Sequence, residues 1–338
     1  MSYLMMDLMS TTLDETEKPM LCHPKVGGII LFSRNFETKQ QLIELIADVR
    51  AVRSDLLIAV DHEGGRVQRF KEGFTHIPAM GDILPAVNGD MAVAANYARE
   101  LGFVMATELL ACDIDLSFAP VLDLNGVSEV IGRRSFSAEP QQVTELANAF
   151  IEGMNQAGMA AVGKHFPGHG SVQADSHIAQ PIDHRSFAEI EQLDMQPFKQ
   201  LMAQNKLQGV MPAHVIYDAV DPNPAGFSHF WLQDVLRQSL QFNGVIFSDD
   251  LGMKGAAHAG DYCQRVQAAL AAGCDMILLC NDNEGLQQVL QHCQWPAAEP
   301  LHPASLLKPD MGVVLHALEQ IERWQAGVKI AELIHVST

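Results

Sequence analysis

No apolar stretch of this 338-residue chain is long enough to cross a bilayer. No two of its six cysteines form a CxxC pair or a metal-finger spacing. Basic residues are scarce, 22 Lys and Arg against 41 Asp and Glu, which leaves a net charge of −19. A nucleic-acid partner, which needs a basic face, is thereby excluded. An anionic small molecule is not, because a few local cations can outweigh the global field. Cys22, Cys112, Cys263, Cys274, Cys280 and Cys293 fall mostly in apolar runs and read as reduced core thiols. Met1–Ser10 has no basic leader and carries Asp7, so it does not read as a signal peptide. A soluble, cytoplasmic, monomeric protein with no membrane partner is expected.

What is present is a large core and a repeating pattern. Hydrophobic residues make up 48% and charged residues 19%, a balance that excludes disorder. Short apolar runs at Tyr3–Leu8, Gly28–Phe32, Leu56–Asp61, Leu116–Asp123, Ala160–Phe166, Gly209–Val215, Gly244–Asp249 and Asp275–Cys280 read as strands. Several are apolar almost throughout, as in parallel strands buried on both faces. Helical patterns lie between them at Thr38–Val52, Met91–Cys112, Pro140–Gln156, Phe187–Gln204, Phe230–Gln241 and Tyr262–Ala272, with Gly273 as a helix stop. Leu306 to Ile334 reads as one or two closing helices. Eight strands alternating with helices predict an α/β chain folded as one (β/α)8 barrel over residues 1–338; a doubly wound sheet is the rival.

Polar residues gather where the predicted strands end: Asp61 to Arg69, Asp123, Lys164 to Gly170, His214, and Asp249-Asp250. In a barrel these ends meet at one mouth, so their coincidence favours an enzyme. Residues alternate sides along a strand, so only one of Asp249 and Asp250 can face the mouth. The other would face the helices or cap the next one. A carboxylate so placed can attack an anomeric carbon. Lys164 could be a Schiff-base amine, a donor to sugar hydroxyls, or the partner of a strand-end acid such as Asp61 or Asp123. His165 and His169 have an HxxxH spacing, but Pro167 and Gly168 break any helix between them, which disfavours a helical zinc site. Asp175 and His177, two apart in a Gly-containing loop, can lie on one side, where the acid would orient the imidazole and raise its pKa. Arg66, Arg69, Arg133 and Arg134 read as ligand contacts near the mouth.

Together these motifs resemble family 3 glycoside hydrolases, closest to the compact bacterial β-N-acetylglucosaminidases of peptidoglycan recycling. The resemblance rests on Gly27 to Asn35, Asp61 to Phe70, Ile131 to Phe136, Lys164 to Gly170, Asp175-Ser176-His177 and Phe247 to Leu251, in the family's order over about residues 1–285. It implies a retaining hydrolase without metal or cofactor. Asp249 would be the nucleophile, and His177 the acid and base with Asp175 as its partner. Asp61, Arg69, Arg134, Lys164 and His165 would hold N-acetylglucosamine. The implied substrate is N-acetylglucosamine β-1,4-linked to anhydro-N-acetylmuramic acid, with or without a stem peptide.

Three positions depart from the family pattern. His62 stands where Gln is usual and could change local charge. The Arg133-Arg134 doublet offers two arginines for one role; Arg134 is chosen because it directly precedes Ser-Phe. Gly252 replaces a Ser. Other chemistries remain open on the residues alone: attack by the substrate's own acetamide with Asp249 and Asp250 as an acidic pair, a metal site on His165, His169 and His177, a Lys164 Schiff base, and a non-catalytic sugar sensor.

Overall fold

The computed structural model describes residues 2–173 and 181–337. Eight strands carry the architecture: β1 Leu4–Asp7, β2 Val26–Leu31, β3 Leu57–Val60, β4 Leu116–Ser117, β5 Val162–Phe166, β6 Gly209–Pro212, β7 Val245–Ile246 and β8 Ile277–Leu279. Each overlaps an apolar run expected from the sequence, and all pair in parallel. Hydrogen-bonded neighbours run β8-β1-β2-β3-β4 in one group and β5-β6-β7 in another. Parallel bridges link the groups on both sides, Val121 with Lys164 and Phe247 with Met276. The fourth strand is shorter than its apolar run because Pro120 brings no N–H to the ladder. Its carbonyl still accepts from Lys164 N at 3.3 Å, and Leu122 N donates to Lys164 O at 2.7 Å.

Alternation along the strands divides their side chains between two cores. Leu4, Met6, Ile29, Leu31, Ile58, Val60, Val210, Ile246, Ile277 and Leu279 belong to a large cluster shared with the helices. Met5, Ile30, Leu57, Ala59, Leu116, Phe118, Val162, Met211, Val245, Phe247, Met276, Leu278 and Cys280 form a second cluster, to which all eight strand regions contribute. Ala304 and Leu307 join it from a 3-10 turn. Val, Ile, Leu and Met occupy both faces, which is why the strands read as continuous apolar runs.

Helices follow where capping chemistry permits. Thr38 Oγ1 accepts from Gln41 N before Lys39–Val52, and Asp90 accepts from Ala92 N and Val93 N before Met91–Leu110. Pro140 starts Pro140–Ala157, and Gly158 ends it at φ 99°. Gly273, at φ 113°, ends Tyr262–Ala272 as expected. The helix predicted over Phe187–Gln204 is two helices, Phe187–Gln192 and Gln196–Ala203. Pro197 occupies the first turn of the second, so the chain cannot run through as one helix. Phe230–Ser239 is wound as a π-helix. The closing helices are Met311–Leu318 and Ile321–Ser337; the latter is held to Met91–Leu110 by Arg323 Nε to Glu100 (2.8 Å) and Trp324 Nε1 to Glu108 (2.9 Å).

The cysteines require a correction. Cys263 and Cys293 form a disulfide, with Cα atoms 5.2 Å apart; Cys112, Cys274 and Cys280 are free and buried, and Cys22 is free and exposed. Cys263 lies in the first turn of one helix and Cys293 directly follows the end of the next, Asn283–His292. Packing these consecutive helices side by side joins residues 30 apart. Among the described residues no helix is long and apolar enough to cross a membrane.

Candidate active site

Continuing the alternation past each strand end predicts which polar side chains face the second core. Ile30 leads to Phe32, Leu57 and Ala59 to Asp61, Val162 to Lys164, and Val245 and Phe247 to Asp249. All of these end residues line one cavity of about 720 Å³, together with Glu63, Arg66, Arg69, Arg134, His165, His169, Met211 and Asp250.

A charged cluster occupies one wall. Lys164 Nζ donates to Asp61 Oδ1 at 2.8 Å and lies 2.6 Å from Glu63 Oε1. Arg134 grips Glu63 through Nε (2.8 Å) and Nη2 (2.7 Å), while its Nη1 donates to Val130 O at 3.2 Å. Arg69 Nη2 reaches Asp61 Oδ2 at 3.2 Å, its guanidinium lies over the Phe32 ring, and its buried Nε has no hydrogen-bond partner among the described residues. Burial opposes charge on all the interior members of the cluster, but mutual attraction wins. Lys164 is pushed up by Asp61 and Glu63. Asp61 is held below its ordinary range by Lys164 and Arg69, and Glu63 well below by Arg134 and Lys164. A lysine held so firmly as an ammonium is a poor Schiff-base nucleophile.

The arginine doublet separates here. Both residues lie in the 3-10 turn Gly132–Arg134, where neighbours point in different directions. Arg134 turns into the cavity; Arg133, 66% exposed, binds Asp82 through Nε at 2.6 Å. Arg66 is exposed at the rim and donates to Val130 O.

Asp123 is the strand-end acid that holds a histidine. It accepts from His165 N and His169 N, and its Oδ2 is 2.6 Å from His165 Nδ1. It is fully buried, and the neighbouring imidazoles outweigh desolvation to keep it below its ordinary range.

The expectation that only one of the two aspartates faces the cavity needs correcting: both line it, and they differ in what they bind. Asp249 lines the cavity, and its Oδ1 accepts from Asp250 N at 2.8 Å. Asp250 Oδ1 accepts instead from Gly252 N (2.8 Å) and Cys280 N (3.0 Å), binding the loop to the end of β8. Burial, with a smaller push from Asp249, raises the Asp250 carboxyl to about 7. Asp175 and His177 lie outside the described residues. Among the described residues no group of three or more His, Cys, Asp or Glu could hold a metal ion.

His62 does not reach the cavity. Its ring packs against Phe70 and Phe74, each at 5.8 Å, and burial, aided by Arg69, lowers its pKa to about 3. It therefore adds no charge near Asp61. The unfolded chain would protonate it near its ordinary value of about 6.5. Its contribution to stability is complete above that value and is lost as pH falls toward about 3. His62→Gln should leave the pH profile of activity unchanged and make acid unfolding, followed by circular dichroism, less steep below about pH 6.5.

Glu63 is the residue that the sequence reading passed over. It appears in the motif but received no role. The available signal was its spacing, two positions after Asp61, which in an extended segment places both on one side.

Residues 4–300 match the glycosyl hydrolase family 3 N terminal domain, and the chain belongs to that family. A beta-hexosaminidase of Shewanella frigidimarina is 66% identical over 331 residues, covering 98% of this chain and 97% of that one. A beta-hexosaminidase of Haemophilus influenzae (strain ATCC 51907 / DSM 11121 / KW20 / Rd) is 52% identical over 301 residues, 89% of this chain and 85% of that one. The crystal structure of native NagZ from Neisseria gonorrhoeae superposes with a TM-score of 0.90 at 43% identity, covering 98% and 97% of the two chains. The protein is an enzyme, a glycoside hydrolase of the β-hexosaminidase type.

Proposed function

We propose that this enzyme is a retaining exo-β-N-acetylglucosaminidase. It releases N-acetylglucosamine from the β-1,4-linked anhydro-N-acetylmuramic acid disaccharide, with or without a stem peptide, in cytoplasmic peptidoglycan recycling. The scaffold is a closed (β/α)8 barrel forming one domain. The ring of strand neighbours, joined by the Val121–Lys164 and Phe247–Met276 bridges around a core drawn from all eight strand regions, supports that reading.

The observation that carries the mechanism is the Asp249 carboxylate, lining the same cavity as the Asp61–Lys164–Arg69 and Glu63–Arg134 pairs. Asp61, Arg69, Arg134, Lys164 and His165 hold the sugar through hydroxyl and acetamide groups, leaving its anomeric carbon to Asp249. The N–H of Asp250 orients the attacking carboxylate. Attack forms a glycosyl ester on Asp249 while His177 protonates the departing oxygen. His177, partnered by Asp175, then takes a proton from water as water cleaves the ester. An imidazole with a pKa of about 6.5 transfers protons both ways near neutrality.

Incubation with a fluorinated N-acetylglucosaminide carrying a good leaving group should trap one sugar on the peptide containing Asp249, read by mass spectrometry. A label on another residue, or rapid turnover through an oxazoline with no label, would replace this mechanism by another.

A further inference from the structure

We propose that Glu63 is the positioning residue of the sugar pocket, setting Lys164 and Arg134 so that their remaining N–H groups serve the ligand. This rests on the reading of the cavity as an N-acetylglucosamine site.

Glu63 is 3% exposed and accepts from two cations carried by different segments, Lys164 on β5 and Arg134 on the Gly132–Arg134 turn. Arg134 meets it through two parallel donors, a fork that fixes the guanidinium plane as well as its position. The remaining donors can be counted. An ammonium has three N–H groups, and Lys164 spends two, on Asp61 and Glu63. A guanidinium has five, and Arg134 spends two on Glu63 and one on Val130 O. Both side chains line the cavity. What they have left is therefore directed by where Glu63 holds them, and hydroxyl or acetamide oxygens are the acceptors such donors take.

Glu63 itself is no candidate acid or base. Arg134 and Lys164 keep it ionised well below the ordinary carboxylate range. Its charge has a second effect, since it is one of the two groups that hold the Lys164 proton.

The test uses the full-length enzyme with Glu63→Gln and Glu63→Asp, p-nitrophenyl N-acetyl-β-D-glucosaminide as substrate, and calorimetric binding of N-acetylglucosamine. Loss of the charged fork in Glu63→Gln should raise KM and weaken sugar binding by roughly tenfold to a hundredfold, with a smaller change in kcat. The basic limb of kcat/KM should move to lower pH, because Lys164 loses one of its two counter-charges. Glu63→Asp keeps the charge but is one methylene shorter. It should leave the basic limb in place while KM still rises. If Glu63→Gln does not fold, the Glu63→Asp result alone decides. A lower melting temperature with unchanged KM and unchanged basic limb would make Glu63 a structural ion pair only and overturn the proposal. If the unsubstituted enzyme releases no p-nitrophenol, the functional reading fails instead.

Discussion

Asp249→Ala should reduce release of p-nitrophenol by roughly four orders of magnitude or more, as removal of a covalent nucleophile does elsewhere. The fold should survive, because among the described residues the Asp249 side chain accepts one hydrogen bond, from its neighbour's N–H, and the residue is only partly buried. N-acetylglucosamine should still bind, since the Asp61–Lys164 and Glu63–Arg134 pairs that line the same cavity are untouched. Asp250→Ala distinguishes the two acids differently. Its carboxylate binds Gly252 N and Cys280 N, so that change should loosen the loop and lower stability. If Asp249→Ala retained substantial turnover while Asp250→Ala lost it, the assignment of nucleophile would be reversed.

Lys164→Met should be the most damaging change away from the reacting carbon. It leaves Asp61 and Glu63 without the buried cation between them, and breaking such a pair costs about 3–5 kcal/mol. Arg134 still compensates Glu63, which places the expected loss toward the lower end of that range. The pH dependence has a definite sign. Asp61 and Glu63 now have folded pKa values below their ordinary range, so they stabilise the fold above that range and lose this contribution as pH falls through the folded values. Without Lys164 both values rise, and protonation relieves the repulsion. The stability deficit of the variant, measured by urea unfolding, should therefore shrink as pH is lowered into the carboxylate range. Sugar binding should be lost at every pH. A deficit that grew on acidification would contradict the ion-pair account.

Particular residues show how far the sequence could be read. The aspartate doublet was read as a choice of one acid for the cavity; both line it, and what separates them is that Asp250 is tied to Gly252 N and Cys280 N. The helix end at Gly273 was legible, because glycine readily takes the positive φ that ends Tyr262–Ala272. The break at Pro197 was available from the residue itself, but the flanking apolar pattern masked it. Arg133 and Arg134 could not be separated by sequence, because in a 3-10 turn the direction of each depends on where the turn is docked. The Cys263–Cys293 bridge was also beyond reach, since apolar surroundings describe a free core thiol and a bridged one alike.

The amino-acid order alone determined the α/β pattern, the parallel character of the strands and the set of polar residues at their ends. These follow from local properties: apolar period, capping chemistry and the twofold alternation of side chains. Tertiary structure decided which of those polar residues meet. Asp61 and Glu63 share one segment while Lys164 and Arg134 come from two others, and the hydrogen bonds of 2.6–2.8 Å among them exist only once these three segments meet. A charge-assisted hydrogen bond needs its partners within about 3 Å of each other, so no local rule can foresee which acid a given cation will choose.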